Sequence, residues 1–153
     1  SNDIEGVGVK IYLRDQPTLT NDPALHKRMG LHVDIFHTRE GIPSPTKTTR
    51  FHVNLGERDH WLAYLDMTVE ELETWYLGQD ANKKLQYPSR TDIAHAFVSA
   101  NPQTPMYAFK TRPGEAYVAS GENCLHDGII LDTEGGFEIT LALRGQFHGW
   151  LEK

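Results

Sequence analysis

Gly30-Leu31-His32-Val33-Asp34-Ile35-Phe36 is the stretch whose reading decides the architecture. Side chains alternate along a strand, so His32 and Asp34 share one face while Leu31, Val33 and Ile35 take the other. A second imidazole stands far along the chain, in Cys124-Leu125-His126-Asp127-Gly128. Two imidazoles and one carboxylate can hold a divalent metal from one side and leave open positions opposite. For His126 to join His32 and Asp34, an early strand must lie beside a late one.

The rest of the chain supplies such strands. Gly6 to Leu13, Leu31 to His37, Arg50 to Leu55 and Trp61 to Leu65 read as strands, and Glu40 to Lys47, with Gly41, Pro43 and Pro45, as a long loop suited to a lid. Thr68-Val69-Glu70-Glu71 is a capping box that opens a helix with Leu72, Trp75 and Tyr76 on its apolar face. A second helix fits Thr91 to Ala100, with a stripe of Ile93, Ala96, Phe97 and Ala100, stopped by Pro102. Strands return at Met106 to Lys110, Glu115 to Ala119, Asn123 to His126, Phe137 to Leu143 and Gln146 to Leu151. Pro113-Gly114, Gly121-Glu122 and Glu134-Gly135-Gly136 mark turns. The pattern predicts a mainly β fold, a double-stranded β-helix or jelly roll, with about two helices inserted or packed outside.

Length and charge narrow the function classes. The chain has 153 residues, which fits one domain over 1–153. Its net charge of −6 lacks the basic footprint of a nucleic-acid protein. The one cysteine, Cys124, permits no internal disulfide and fits a reducing cytoplasm. No apolar run has the length of a membrane span, and no signal or lipidation motif is recognisable. There is no nucleophile elbow, phosphate-binding Gly loop or Cys-x-x-Cys pattern.

Gly30-Leu31-His32-Val33-Asp34, Arg50-Phe51-His52-Val53-Asn54-Leu55-Gly56, Pro113-Gly114-Glu115-Ala116-Tyr117-Val118-Ala119 and His126-Asp127-Gly128 together resemble the Fe(II)/2-oxoglutarate-dependent dioxygenases of the cupin-like, double-stranded β-helix superfamily. The resemblance covers roughly residues 30 to 150. It implies His32, Asp34 and His126 as iron ligands, with Fe(II), 2-oxoglutarate and O2 as cofactor and co-substrates. It also implies a basic residue after the distal His that binds the far carboxylate of 2-oxoglutarate. Arg144 matches that role, because guanidinium pairs bidentately with carboxylate, and Arg112 and Arg50 are the fallback anchors. The carboxylate of Asp34, which the superfamily's halogenases lack, implies hydroxylation or a related oxidation.

The remaining candidates carry competing readings. Arg50, His52 and Asn54 share one strand face and either line a pocket that holds substrate or form a solvated polar face. On the second reading Phe51, Val53 and Leu55 are the core side. His126 is followed by the strong turn signal Asp127-Gly128, and His148 is its rival as distal ligand. His37, His60 and His95 read as ordinary residues of a strand end, a loop and a helix. Cys124 reads as a small buried hydrophobe, and Trp61, Trp75 and Trp150 as packing. The expected substrate is a small polar molecule, an amino acid or a peptide, and a dimer is compatible with the sequence. Two other functions remain open: a cupin-type metal enzyme that does not use 2-oxoglutarate, and a non-enzymatic jelly-roll binding module.

Overall fold

The computed structural model describes residues 3–12, 20–22, 27–34, 49–79, 89–131 and 137–147. Nine strands and two helices run β1 (Asp3–Tyr12), β2 (Asn21–Asp22), β3 (Lys27–Arg28), β4 (Thr49–Asn54), β5 (His60–Thr68), α1 (Val69–Leu77), α2 (Arg90–Ala100), β6 (Met106–Thr111), β7 (Ala116–Ala119), β8 (Cys124–Ile129) and β9 (Glu138–Gln146) among these residues. β2 and β3 form a separate hairpin.

The other strands make two antiparallel sheets, ordered β1-β9-β4-β7 and β6-β5-β8. From β4 onward the chain alternates between them: β4 lies in the first sheet, β5 and β6 in the second, β7 in the first, β8 in the second, β9 in the first. His32 extends the second sheet beyond β8 through a bridge to His126. This is a jelly-roll order, with the first strand beside the last, and it gives the mainly β architecture with two helices that the sequence predicts.

Both helices begin on capping boxes, Thr68 with Glu71 and Ser89 with Asp92. They pack on the outer face of the second sheet. Val33, Leu65, Val69, Leu72, Tyr76, Ile93, Ala94, Phe97 and Leu125 form the apolar core there, with Trp75 edge-on to Phe97 at 5.1 Å. The main core is therefore between sheet and helices, outside the barrel.

Three strand readings differ from expectation. Leu31 to His37 is read as a strand, yet among the described residues 31–34 only His32 pairs, in an isolated bridge to His126. Asp127-Gly128 does not turn: β8 runs on through Ile129 because Asp127 and Gly128 pair with Ala63 and Leu62 of β5. Arg144-Gly145 does not break β9 either, since Arg144 is flanked by Gly6 on β1 and Arg50 on β4. Pairing on one or both sides overrides a local turn preference. Pro113-Gly114 does turn, with Gly114 at φ 82° and Glu115 N donating to Arg112 O at 2.9 Å. No helix among the described residues is long and apolar enough to cross a membrane.

Candidate metal centre

The segment bearing His32 and Asp34 is clamped from three sides. His32 N donates to His126 O and His126 N to His32 O, both at 2.9 Å. Val33 N donates to Thr91 Oγ1 at 3.0 Å at the start of α2, and His95 Nε2 donates to Leu31 O at 2.6 Å. Asp34 N donates to Gly121 O at 2.9 Å in the β7–β8 turn. Val33 enters the helix-side core while His32 and Asp34 point the opposite way, as alternation requires.

His32, Asp34 and His126 converge, with one candidate ligand atom from each lying within 4.8 Å of the others. His32 Nε2 is 3.5 Å from Asp34 Oδ1, and His126 Nε2 is 3.6 Å from Asp34 Oδ2. Ligands about 2.1 Å from a shared ion at right angles sit about 3 Å apart, so the three side chains must draw together to close around one ion. The tautomers suit it as well. His32 Nδ1 donates to Gly30 O at 2.8 Å and His126 Nδ1 to Cys124 O at 3.1 Å, which leaves both Nε2 lone pairs facing Asp34. Asp34 Oδ2 is buried with no hydrogen-bond partner among the described residues.

The local charges are arranged for a cation. Burial opposes ionisation of Asp34, but the bond that the His32 imidazole gives when both ring nitrogens carry protons, and the charges of Arg50, His126 and His32, outweigh that and hold its pKa down to about 2. Arg50 Nη2 donates to Asp34 Oδ1 at 2.7 Å, so a guanidinium now occupies the carboxylate's other oxygen. Burial keeps His126 below the usual imidazole range despite the attraction of Asp34, so its lone pair is available near neutral pH. Burial raises the Cys124 thiol, reinforced by Asp34, which disfavours a thiolate nucleophile.

A cavity of about 30 Å³ adjoins these three residues, and its wall also includes Lys10, Thr20, Arg50, His52, His60 and Tyr117. The polar face of β4 therefore points into the barrel, and Phe51 and Val53 lie on the outer side. Leu55, on the face read as the alternative core, is 53% exposed. His52 stacks on Tyr117 at 4.8 Å. Burial, Arg50 and Lys10 push the His52 pKa down to about 3. Burial and Arg50 likewise lower Lys10. In the same wall His60 Nδ1 donates to buried Glu138 Oε1 at 2.6 Å, and Tyr117 Oη donates to His60 Nε2 at 3.1 Å. An open groove of about 580 Å³, with Tyr64, Asp66, Phe109, Ser120 and Cys124 in its wall, shares Leu62 and Ala119 with this cavity.

The expected residues divide accordingly. His32, Asp34, His126, Arg50 and His52 meet at one cavity. Asn54 does not line it: its Nδ2 donates to Arg58 O at 2.7 Å and Thr111 O at 2.9 Å, a structural role at the strand end. Arg144 lies on β9 directly across from Arg50 but is not among the described residues of the cavity wall. Arg112 is two-thirds exposed and paired with Glu115, away from the cavity. His37, His148, Trp150 and the loop over 40–47 lie outside the described residues. Lys10, His60, Tyr117 and Gly121 were not expected as site residues from the sequence. His60 follows Gly56-Glu57-Arg58-Asp59 and reads as loop, yet it opens β5 and is buried.

The comparisons with known proteins add an architectural likeness. The chain is similar to solved structures of the Kdo hydroxylase KdoO, described as a non-heme Fe(II) alphaketoglutarate dependent dioxygenase. The complex with cobalt(II) shares 17% identity at a TM-score of 0.48, with 90% of this chain and 53% of that chain covered. The complex with alphaketoglutarate and Fe(III) gives 17%, 0.47, 90% and 54%. The apo structure gives 17%, 0.48, 90% and 53%. This chain thus spans about half the length of those structures. No family model and no curated protein matches it. The functional reading therefore rests on the geometry of the site.

Proposed function

We propose that His32, Asp34 and His126 bind Fe(II), and that the protein is a 2-oxoglutarate-dependent oxygenase. The observation that carries this reading is the convergence of two Nε2 lone pairs and a buried carboxylate oxygen beside a cavity rich in cations. Iron bound there would supply O2 activation and oxidation of an unactivated C–H, coupled to decarboxylation of the keto acid.

The chain's own residues do the rest. Gly30 O and Cys124 O fix both imidazoles in the ligating tautomer. The keto acid's far carboxylate needs a cation, and Lys10 and Arg50 in the cavity wall are the best placed. Arg144, in register with Arg50, is next. A bound metal would weaken the hold of Arg50 on Asp34, because two cations would then share one carboxylate, and would leave that guanidinium available to the co-substrate. His60, held by Glu138, orients the Tyr117 hydroxyl toward the same space. The cavity of about 30 Å³ holds little more than a water, so the co-substrate requires Arg50 and Lys10 to move. The open groove that shares Leu62 and Ala119 is the route for substrate, and its polar and aromatic wall suits a small polar molecule, an amino acid or a peptide.

Anaerobic titration with Fe(II), with and without 2-oxoglutarate, tests the reading. A weak visible charge-transfer band that saturates at one equivalent and is absent in His126→Ala is expected. Iron binding without a band would replace the proposal with a metal enzyme that does not use the keto acid. No iron binding would leave a binding module.

A further inference from the structure

We propose that Gly121 is a positioning residue of this metal centre: its missing side chain is the space in which Asp34 and His126 meet. The proposal rests on the metal reading above. Gly121 is buried in the turn between β7 and β8, lines the cavity, and accepts Asp34 N through its carbonyl at 2.9 Å. A Cβ built at this position would overlap Asp34 Oδ2 and lie 2.8 Å from His126 Cε1 and 2.9 Å from Asp34 Cγ. Two of the three proposed ligands are therefore packed directly against the glycine.

Backbone conformation does not explain this glycine. Among the described residues, positive φ occurs at Gly30 and Gly114, and Gly121 is not one of them. An alanine can adopt its dihedrals, so the demand is for room alone. The room cannot be recovered cheaply. Asp34 Oδ1 is held by Arg50 and Asp34 N by Gly121 itself, while His126 is fixed by the bridge to His32 and by Cys124 O. An added methyl must push the carboxylate or the imidazole out of the ligating geometry, and ligand misplacement of this size degrades a metal site before it degrades a fold.

The same turn explains how one residue serves both ligands. Gly121 follows β7, whose Ala119 belongs to both the cavity and the groove, and precedes β8, which carries His126. The turn thus closes the metal cavity on the side where the groove opens. Gly8 offers a control, since a Cβ there meets nothing within 4 Å.

Co(II) titration of the whole protein, followed by d–d absorption, tests the proposal, together with thermal midpoints of the metal-free forms. Gly121→Ala is expected to lose at least a hundredfold in Co(II) affinity, with Gly8→Ala unchanged. The midpoint drop caused by Gly121→Ala should shrink when Asp34 is already alanine, because the overlapping oxygen is gone. If Gly121→Ala alone does not fold, folding of the double variant supports the proposal and its failure to fold overturns it. Wild-type Co(II) affinity in Gly121→Ala, or an equal midpoint cost in both backgrounds, overturns it while leaving the metal reading standing. No Co(II) binding by the unsubstituted protein overturns the metal reading and this proposal with it.

Discussion

The two faces of the β6-β5-β8 sheet do opposite work. On the outer face Leu65 and Leu125 are buried against Leu72, Ile93 and Phe97 of the helices, and each such side chain stabilises by about 1.5–3 kcal/mol. On the inner face, one residue along from Leu125, His126 looks across to Asp34, Arg50 and a barrel interior that holds His60, Glu138, Arg58, Asn54 and Thr140. Buried polar groups cost free energy unless paired, so the interior is kept intact by partners such as Glu138 on His60 and Asn54 on backbone carbonyls. The contrast teaches that cohesion comes from the helix layer. The inside of the barrel is thereby free to hold charge next to a void.

If the faces are independent, damage to one should spare the other. The largest effect is expected for Asp34→Ala: Co(II) affinity falls by a factor of about 1,000 or more, roughly 4 kcal/mol, while circular dichroism keeps the wild-type shape. Retention of affinity would break the assignment of the inner face. Leu72→Ala should do the reverse, costing about 3 kcal/mol in urea unfolding with Co(II) affinity of the folded protein unchanged. Arg50→Gln sharpens the picture inside the barrel. Loss of the cation beside Asp34 should cost the metal-free protein about 2 kcal/mol, discounted because Arg50 is 22% exposed, and should raise Co(II) affinity because no guanidinium competes. A drop in affinity would show that Arg50 positions Asp34 instead of competing for it.

The smallest effect is a slope. His52 in the folded protein titrates near 3, against 6.5 in the unfolded chain, so the unfolded state takes the proton first as pH falls. Stability is full above pH 6.5 and declines toward pH 3 by about 1.4 kcal/mol per pH unit from this residue. His52→Phe keeps a ring on Tyr117 and removes that slope, which urea midpoints between pH 4 and 8 would read. His126 contributes in the same direction and remains. An unchanged slope would mean that His52 is solvated.

Much of this was legible in one dimension. The His32-Val33-Asp34 alternation, the Thr68 capping box and the Pro113-Gly114 turn are local, and each recurs in the structure where its chemistry predicts. The convergence of His126 with His32 and Asp34 was an expectation about distant strands, met because the jelly roll lays the His32 bridge against β8. Lys10 drew no reading of its own, and His60 and Gly121 were read only as a loop residue and a turn residue, because none carries a motif. A lysine in an alternating strand, a histidine after a turn and a glycine in a turn are each ordinary until another strand faces them.

By itself the sequence determined most element types, the Thr68 cap of the first helix and which residues could act as ligands, because those depend on spacing within a few residues. Tertiary structure alone decided which face of β4 is inside. Phe51 and Val53 have the apolar character of a core, yet Arg50 and His52 point inward. The physical reason is that β4 sits between β9 and β7, in a sheet whose inner surface already carries Tyr117 and Glu138 and whose opposite wall supplies Asp34 and His60. A face is buried or exposed according to what the fold sets across from it, and that partner is not written in the strand.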